Sequence, residues 1–197
     1  MALLLTLALL IPGAAAAQPA GGPFRLGAMG AYVASSELDT TEVGLGMLLA
    51  WNATPLVGIE AEIVVHPADM GPDPSFSSGR VETLFGVSVG PQLAWVRPFA
   101  KTRLGIIRFW ESPEPLACIA IFPPPVRCTL SNGRTAVGVD LGGGLELLPP
   151  GRAFVRFEAG DRVLSFPGPV MDSDGTAHEG GFFAHDLRIS FGGGLRF

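Results

Sequence analysis

Val57-Gly58-Ile59-Glu60-Ala61-Glu62-Ile63-Val64-Val65-His66 changes character at almost every step. Successive side chains of a β-strand point to opposite faces, so Val57, Ile59, Ala61, Ile63 and Val65 form one oily face. Gly58, Glu60, Glu62 and His66 form the other. A helix would scatter these residues around its axis, whereas a strand sorts them cleanly. The same parity recurs along the chain. Phe24, Leu26, Ala28 and Tyr32 oppose Arg25 and Gly27, and Val43, Leu45, Met47, Leu49 and Trp51 oppose Glu42, Gly44 and Gly46. Val81, Phe85, Val87 and Val89 oppose Glu82, Gly86 and Ser88. Ala100, Thr102, Leu104 and Ile106 oppose Lys101, Arg103 and Gly105, after which Ile107-Arg108-Phe109-Trp110 breaks the alternation; a β-bulge or the emergence of the strand from its surroundings accounts for the break. Three further runs follow. Val137 to Leu147 carries Asp140 and Glu146 on its polar side, Val155 to Ala159 carries Arg156, Glu158 and, further on, Arg162, and Leu187 to Phe197 carries Asp186, Arg188, Ser190 and Arg196.

The connections alternate in length. Short turns fall at Asn52 to Pro55, Trp95 to Pro98 and Leu148 to Gly151, and longer loops at Ala34 to Thr40, Pro67 to Gly79, Glu111 to Gly133 and Ser165 to Phe182. An even number of strands, about ten residues long, with short turns on one side and long loops on the other is the pattern of an outer-membrane barrel. Both ends of the barrel chain then lie on the short-turn side, toward the periplasm.

Composition supports the same reading. Of 197 residues, 48% are hydrophobic and only 16% charged; glycine (27) and proline (18) are abundant, and Lys101 is the only lysine. A water-soluble domain of this size normally covers itself with far more charge. A net charge of -5 leaves no basic footprint, which argues against nucleic-acid binding. Met1 to Ile11 is an apolar run followed by Pro12-Gly13 and the small residues Ala14 to Ala17. It reads as a signal peptide over residues 1–17, although no Lys or Arg precedes it, with the barrel domain over residues 18–197. Cys118 and Cys128 stand ten positions apart in a Pro-rich loop; in an oxidising compartment the expected outcome is a local disulfide.

The polar face decides between a soluble sandwich and a membrane barrel. It carries glycine interleaved with Arg, Glu and Asp rather than the Lys, Thr and Asn of a wetted surface. In a barrel of about eight strands the interior is just wide enough for side chains to fill it, so glycines leave room for long neighbours. Assigned inward are Glu42, Glu60, Glu62, Glu82, Asp140, Glu146, Glu158 and Asp186, against Arg25, Lys101, Arg103, Arg156, Arg162, Arg188 and Arg196: eight acids and seven bases. Such a balance lets buried charges pair. The oily face then meets lipid, and lipid demands a closed sheet. Trp51, Trp95, Phe24 and Phe197 at one rim and Tyr32, Trp110, Phe182 and Phe183 at the other form two aromatic girdles.

Leu187 to Phe197, alternating and ending on Phe197, together with Pro98-Phe99-Ala100-Lys101 and Gly160-Asp161-Arg162-Val163, resembles the OmpA/OmpX-type family of small outer-membrane β-barrel domains. The resemblance spans about Gly22 to Phe197. It implies an eight-stranded, antiparallel, up-and-down transmembrane barrel inserted by the outer-membrane assembly machinery. That machinery would read Leu187, Ile189, Phe191, Leu195 and Phe197 as the assembly signal. It also implies roles from envelope integrity to adhesion, as a monomer among outer-membrane lipids.

Chemistry is scarce. Glu60 and Glu62 share a face as a general acid and base would, but salt bridges to lumen arginines account better for them. Gly142-Gly143-Gly144 and Gly192-Gly193-Gly194 lack the following helix and Lys-Ser/Thr of a phosphate cradle. Asp172-Ser173-Asp174-Gly175 lacks the terminal Glu of a calcium loop. Neither a metal nor a cofactor is expected. Some small barrels modify lipid A acyl chains with a lipid-facing His and Ser; here only His185 has lipid-facing parity, and Asp186 and Ser190 point the other way. The expectation is a non-enzymatic barrel with a structural or surface role; a lipid A-modifying enzyme, a small porin and a secreted binder of lipophilic ligands are the alternatives.

Overall fold

The computed structural model describes residues 22–35, 40–67, 79–110, 115–119, 127–130, 135–166, 170–171, 177–178 and 182–197. Residues 1–17, read as a signal peptide, lie outside them. The chain forms β1 (Phe24–Ser35), β2 (Thr40–Asn52), β3 (Val57–His66), β4 (Arg80–Val89), β5 (Val96–Phe109), β6 (Pro115–Ile119), β7 (Arg127–Leu130), β8 (Thr135–Leu147), β9 (Ala153–Phe166), β10 (Val170–Met171), β11 (Ala177–His178) and β12 (Phe182–Arg196). Eight of these close a barrel in the order β1-β12-β9-β8-β5-β4-β3-β2, each antiparallel to its neighbours. The two remaining pairs, β6-β7 and β10-β11, are small hairpins within the long connections. Sequence parity gave no sign of them. Cys118 and Cys128 stand directly opposite one another in the β6-β7 register.

Closure follows from the outward face. Phe85, Leu104 and Phe191 are 61, 65 and 61% exposed, and Leu45, Met47, Ile106, Val137, Leu187 and Leu195 also look outward. In water this would be one apolar patch running around the molecule; in hydrocarbon it is the natural surface, and in the closed ladder each barrel strand is hydrogen-bonded to a neighbour on both sides. β3 and β4 have 10 residues and β12 has 15, enough to cross a bilayer core when tilted. The protein is a transmembrane barrel. At the short-turn rim the Phe24 and Trp51 rings stack 6.4 Å apart, with Trp95 and Phe197 exposed on the same side, while Tyr32, Trp110 and Phe183 are exposed toward the long loops.

Several strand boundaries differ from the sequence reading, β1 running to Ser35 and β9 to Phe166 among them. The turn expected at Trp95 to Pro98 is tighter: Leu93 and Val96 exchange backbone hydrogen bonds of 2.8 and 2.9 Å, Ala94 takes a left-handed φ of 50°, and β5 begins at Val96. β4 likewise begins at Arg80 rather than Val81. The expected break at Ile107 is absent. β5 stays in continuous register with β4 and β8 through Ile107, so no bulge occurs. What changes is the lumen: Ile107 points inward onto Ala136, Leu164 and Ala184, with Phe109 against them. An apolar inner residue was mistaken for a parity fault because the inside had been equated with charge.

Candidate functional site

The barrel interior is built from long ionic side chains laid over glycines. The register sets Gly86 beside Arg103, Gly142 beside Lys101, Gly160 beside Arg188 and Gly192 beside Arg156. A β-carbon on Gly86 would lie 2.8 Å from Arg103 Cγ, and one on Gly144 would lie 2.9 Å from the Phe99 ring. Glycine at these positions is therefore a space requirement imposed by the neighbouring strand.

All fifteen charged residues assigned inward by parity line this interior, fourteen of them buried and Glu42 partly exposed at the long-loop end. Their central hub is Glu158. Its carboxylate accepts from Lys101 Nζ at 2.8 Å, Arg103 Nη2 at 2.7 Å, Arg156 Nε at 2.9 Å, Arg188 Nη1 at 3.3 Å and Ser190 Oγ at 2.8 Å. Asp140 receives Arg103 through Nε and Nη2 at 2.9 and 2.6 Å, and Lys101 lies 3.1 Å away. Arg103 and Arg188 both pair with Glu62. Glu60 takes Arg156 in a two-point fork, 2.7 Å on each arm, and the Arg156 guanidinium lies 4.1 Å from the centre of the Phe99 ring. Two-point pairing of this sort fixes orientation as well as charge. Here four carboxylates, Glu60, Glu62, Asp140 and Glu158, meet four cations, Lys101, Arg103, Arg156 and Arg188.

The two ends of the lumen differ. Toward the long loops, Arg162 donates to Asp186 at 2.6 Å and lies 2.5 Å from Glu82, while His66 and Arg80 stand 3.0 and 3.1 Å from the same Glu82 carboxylate. Arg80 also reaches Glu42 at 2.9 Å. Toward the short turns, Arg25 pairs with Glu146 and donates to Asn52 at 2.5 Å, Arg97 lies 3.6 Å from Glu146, and Arg196 donates to the Pro149 and Gly151 carbonyls at 2.9 and 2.7 Å. Apolar side chains complete the filling: Met29, Leu48, Leu148 and Phe154 on one side, the Ile107 group on the other. A void of about 10 Å³ beside Met29, Phe154 and Glu158 has room for roughly one water molecule.

Sequence parity assigns neither Arg80, which falls between the expected loop and the first strand residue Val81, nor Arg97, which falls in the expected turn, and it gives His66 no partner. Their signal was present: each lies an even number of residues from an inward position on its own strand. Of the residues expected to form an assembly signal, Leu187, Phe191, Leu195 and Phe197 are exposed on the outer face, with Ile189 half-buried between neighbours. The side chains of Cys118 and Cys128, the side chain of His178 and the segment Asp172 to Gly175 lie outside the described residues. Outside the lumen, His185 and Asp161 meet on the outer face, Nδ1 to Oδ2, at 2.9 Å.

No protein-family model matches the chain, and no curated protein matches it by sequence. Solved structures do. Neisserial surface protein A (NspA) shares 14% identity at a TM-score of 0.54, over 90% of this chain and 99% of that one. The N-terminal β-barrel domain of Pseudomonas aeruginosa OprF aligns at 9% identity and a TM-score of 0.44, over 87% and 98% of the two chains. Ail, the attachment invasion locus protein of Yersinia pestis, aligns at 11% identity and 0.41, over 88% and 96%. The fold of this chain is that of the small eight-stranded outer-membrane barrels, the architecture implied by its resemblance to the OmpA/OmpX type.

Proposed function

We propose that this chain is a sealed barrel of the outer membrane that serves as a structural or surface-interaction element, presenting its long loops outside the cell rather than conducting solutes. The observation that carries the reading is the Glu158 hub, which ties side chains from β5, β9 and β12 across the lumen at hydrogen-bonding distance. An open pore of this strand number would need those side chains elsewhere. Reconstituted into planar bilayers, the protein should show no steady conductance; a sustained, sizeable current in most insertions would defeat the proposal.

Location follows from the outward face and export from the apolar leader. The barrel would be folded by the outer-membrane assembly machinery reading the β12 pattern, and would sit as a monomer among lipids, with a Cys118–Cys128 bridge closing the β6-β7 hairpin. Cell fractionation followed by electrophoresis, with and without boiling, tests this. The protein should stay in the outer-membrane fraction and change mobility on heating. Recovery from the periplasm without detergent would instead favour a soluble barrel.

A further inference from the structure

Charge inside the barrel is shared unevenly along its axis. The seven bases assigned by parity, with Arg80 and Arg97 added, make nine cations against eight carboxylates in the lumen. The central four and four cancel, and toward the long loops Arg80 and Arg162 stand against Glu42, Glu82 and Asp186. The surplus therefore sits at the short-turn mouth. There, among the described residues, Glu146 is the one carboxylate for Arg25, Arg97 and Arg196, and Arg25 and Arg97 address the same oxygen of it. The neighbouring sequence supplies no other acid: residues 1–23 contain no Asp or Glu, nor do the turns 53–56, 90–95 and 148–152. Glu60 gives both its oxygens to Arg156.

Arg25, Arg97 and Arg196 are 1, 3 and 4% exposed, and Arg25 stands directly opposite Arg196 in the β1-β12 register. Like charges so placed repel, and a buried charge without a counter-charge is strongly destabilising. Their remaining partners are neutral. Arg25 donates to Asn52 Oδ1, Arg97 reaches Ser88 Oγ and the Gly90 carbonyl at 3.4 Å each, and Arg196 donates to two turn carbonyls. Arg25 Nε, Arg97 Nη1 and both Nε and Nη1 of Arg196 are buried without a hydrogen-bond acceptor. Water can satisfy such N–H groups, but it does not cancel the charge. Gly58, opposite both Asn52 and Ser88, keeps the lumen wall bare beside them: a β-carbon there would lie 3.3 Å from Arg25 Nη2 and 2.9 Å from Ser88 Oγ.

We propose that the short-turn mouth binds one small oxyanion of the phosphate class, held by Arg25, Arg97 and Arg196 and supplying the counter-charge that the chain lacks there. Guanidinium forks match the oxygens of such an ion two at a time. A lipid headgroup offers the same phosphate chemistry, but these three side chains face inward and are almost wholly buried, so the occupant is the free ion.

The test uses the full chain refolded into phosphatidylcholine vesicles in phosphate-free buffer of constant ionic strength, beside vesicles containing anionic phosphatidylglycerol. Labelled inorganic phosphate should bind at one ion per barrel in both, and the urea midpoint should rise with phosphate concentration, as it must for a ligand of the folded state alone. Arg97→Gln and Arg196→Gln should each weaken binding about ten- to a hundred-fold, the span of one hydrogen bond to a charged group. Arg108→Gln makes the same charge change on the exposed outer face of β5 and should bind as the wild type does. Asn52→Asp, which sets a carboxylate against Arg25, should raise the midpoint in phosphate-free buffer and blunt the response to phosphate. Heat-dependent mobility of each variant confirms that it has folded. No saturable binding, equal affinities for wild type, Arg97→Gln and Arg196→Gln, an equal loss in Arg108→Gln, or a lowered midpoint for Asn52→Asp would each overturn the proposal. Loss of phosphate binding in the phosphatidylglycerol vesicles alone would make the occupant a headgroup and overturn the free-ion assignment. Bilayer conductance is a separate readout, so the sealed-lumen reading stands or falls independently.

Discussion

Glu158→Ala should destabilise the barrel by about 3–5 kcal/mol, the cost expected when one partner of a buried ion pair is removed and its counter-charges stay behind. Glu158 is the strongest case in the molecule because Lys101, Arg103, Arg156 and Arg188 all converge on it. Glu60, Glu62 and Asp140 remain to serve those four cations, so the vacated centre holds one uncompensated positive charge and several unsatisfied N–H groups. Urea unfolding in lipid vesicles, followed by tryptophan fluorescence, measures the effect. A variant with an unchanged midpoint would mean that the lumen is wet enough to screen its charges, and the account of Glu158 as a buried ionic hub would have to be abandoned.

Leu104→Arg tests the opposite face. Leu104 lies near the middle of β5, 65% exposed, between outward-facing Phe85 and Val139. On the surface of a water-soluble protein such a substitution usually changes stability by less than about 0.5 kcal/mol. Near the midplane of a bilayer, arginine on the lipid face of a barrel costs roughly 2–4 kcal/mol. The two environments therefore predict results that differ several-fold for one exposed residue. Equal stabilities of wild type and Leu104→Arg in vesicles would remove the membrane from the account of this surface.

Much of this was legible before any coordinates. Parity is a local property: Glu60 and Glu62 face one way because strand side chains alternate, whatever the strand pairs with. The glycines that interrupt the polar face pointed to a crowded interior for the same reason. Partner identity was not legible, because it depends on register around the closed sheet. Nothing local says that Arg156 will fork onto Glu60, 96 positions away, or that Arg25 will find Glu146. The errors at Arg80, Arg97 and Ile107 all fall near strand ends. Arg80 and Arg97 lie just beyond the strand limits read from alternation, although the backbone ladder includes them, and Ile107 sits where the lumen is locally apolar. Asp161 and His185 escaped notice as a pair because only the β9-β12 register brings them diagonally together.

The placement of the last strand has a consequence for biogenesis. β12 brings Asp186, Arg188, Ser190 and Arg196 to the interior and is also the strand that seals the sheet against β1. Before it docks, Glu62 and Glu158 lack Arg188, Arg162 lacks Asp186, and the β1 and β9 edges are bare. Electrostatic completion and seam closure are thus a single event, so an unfinished barrel has no comfortable resting place in hydrocarbon.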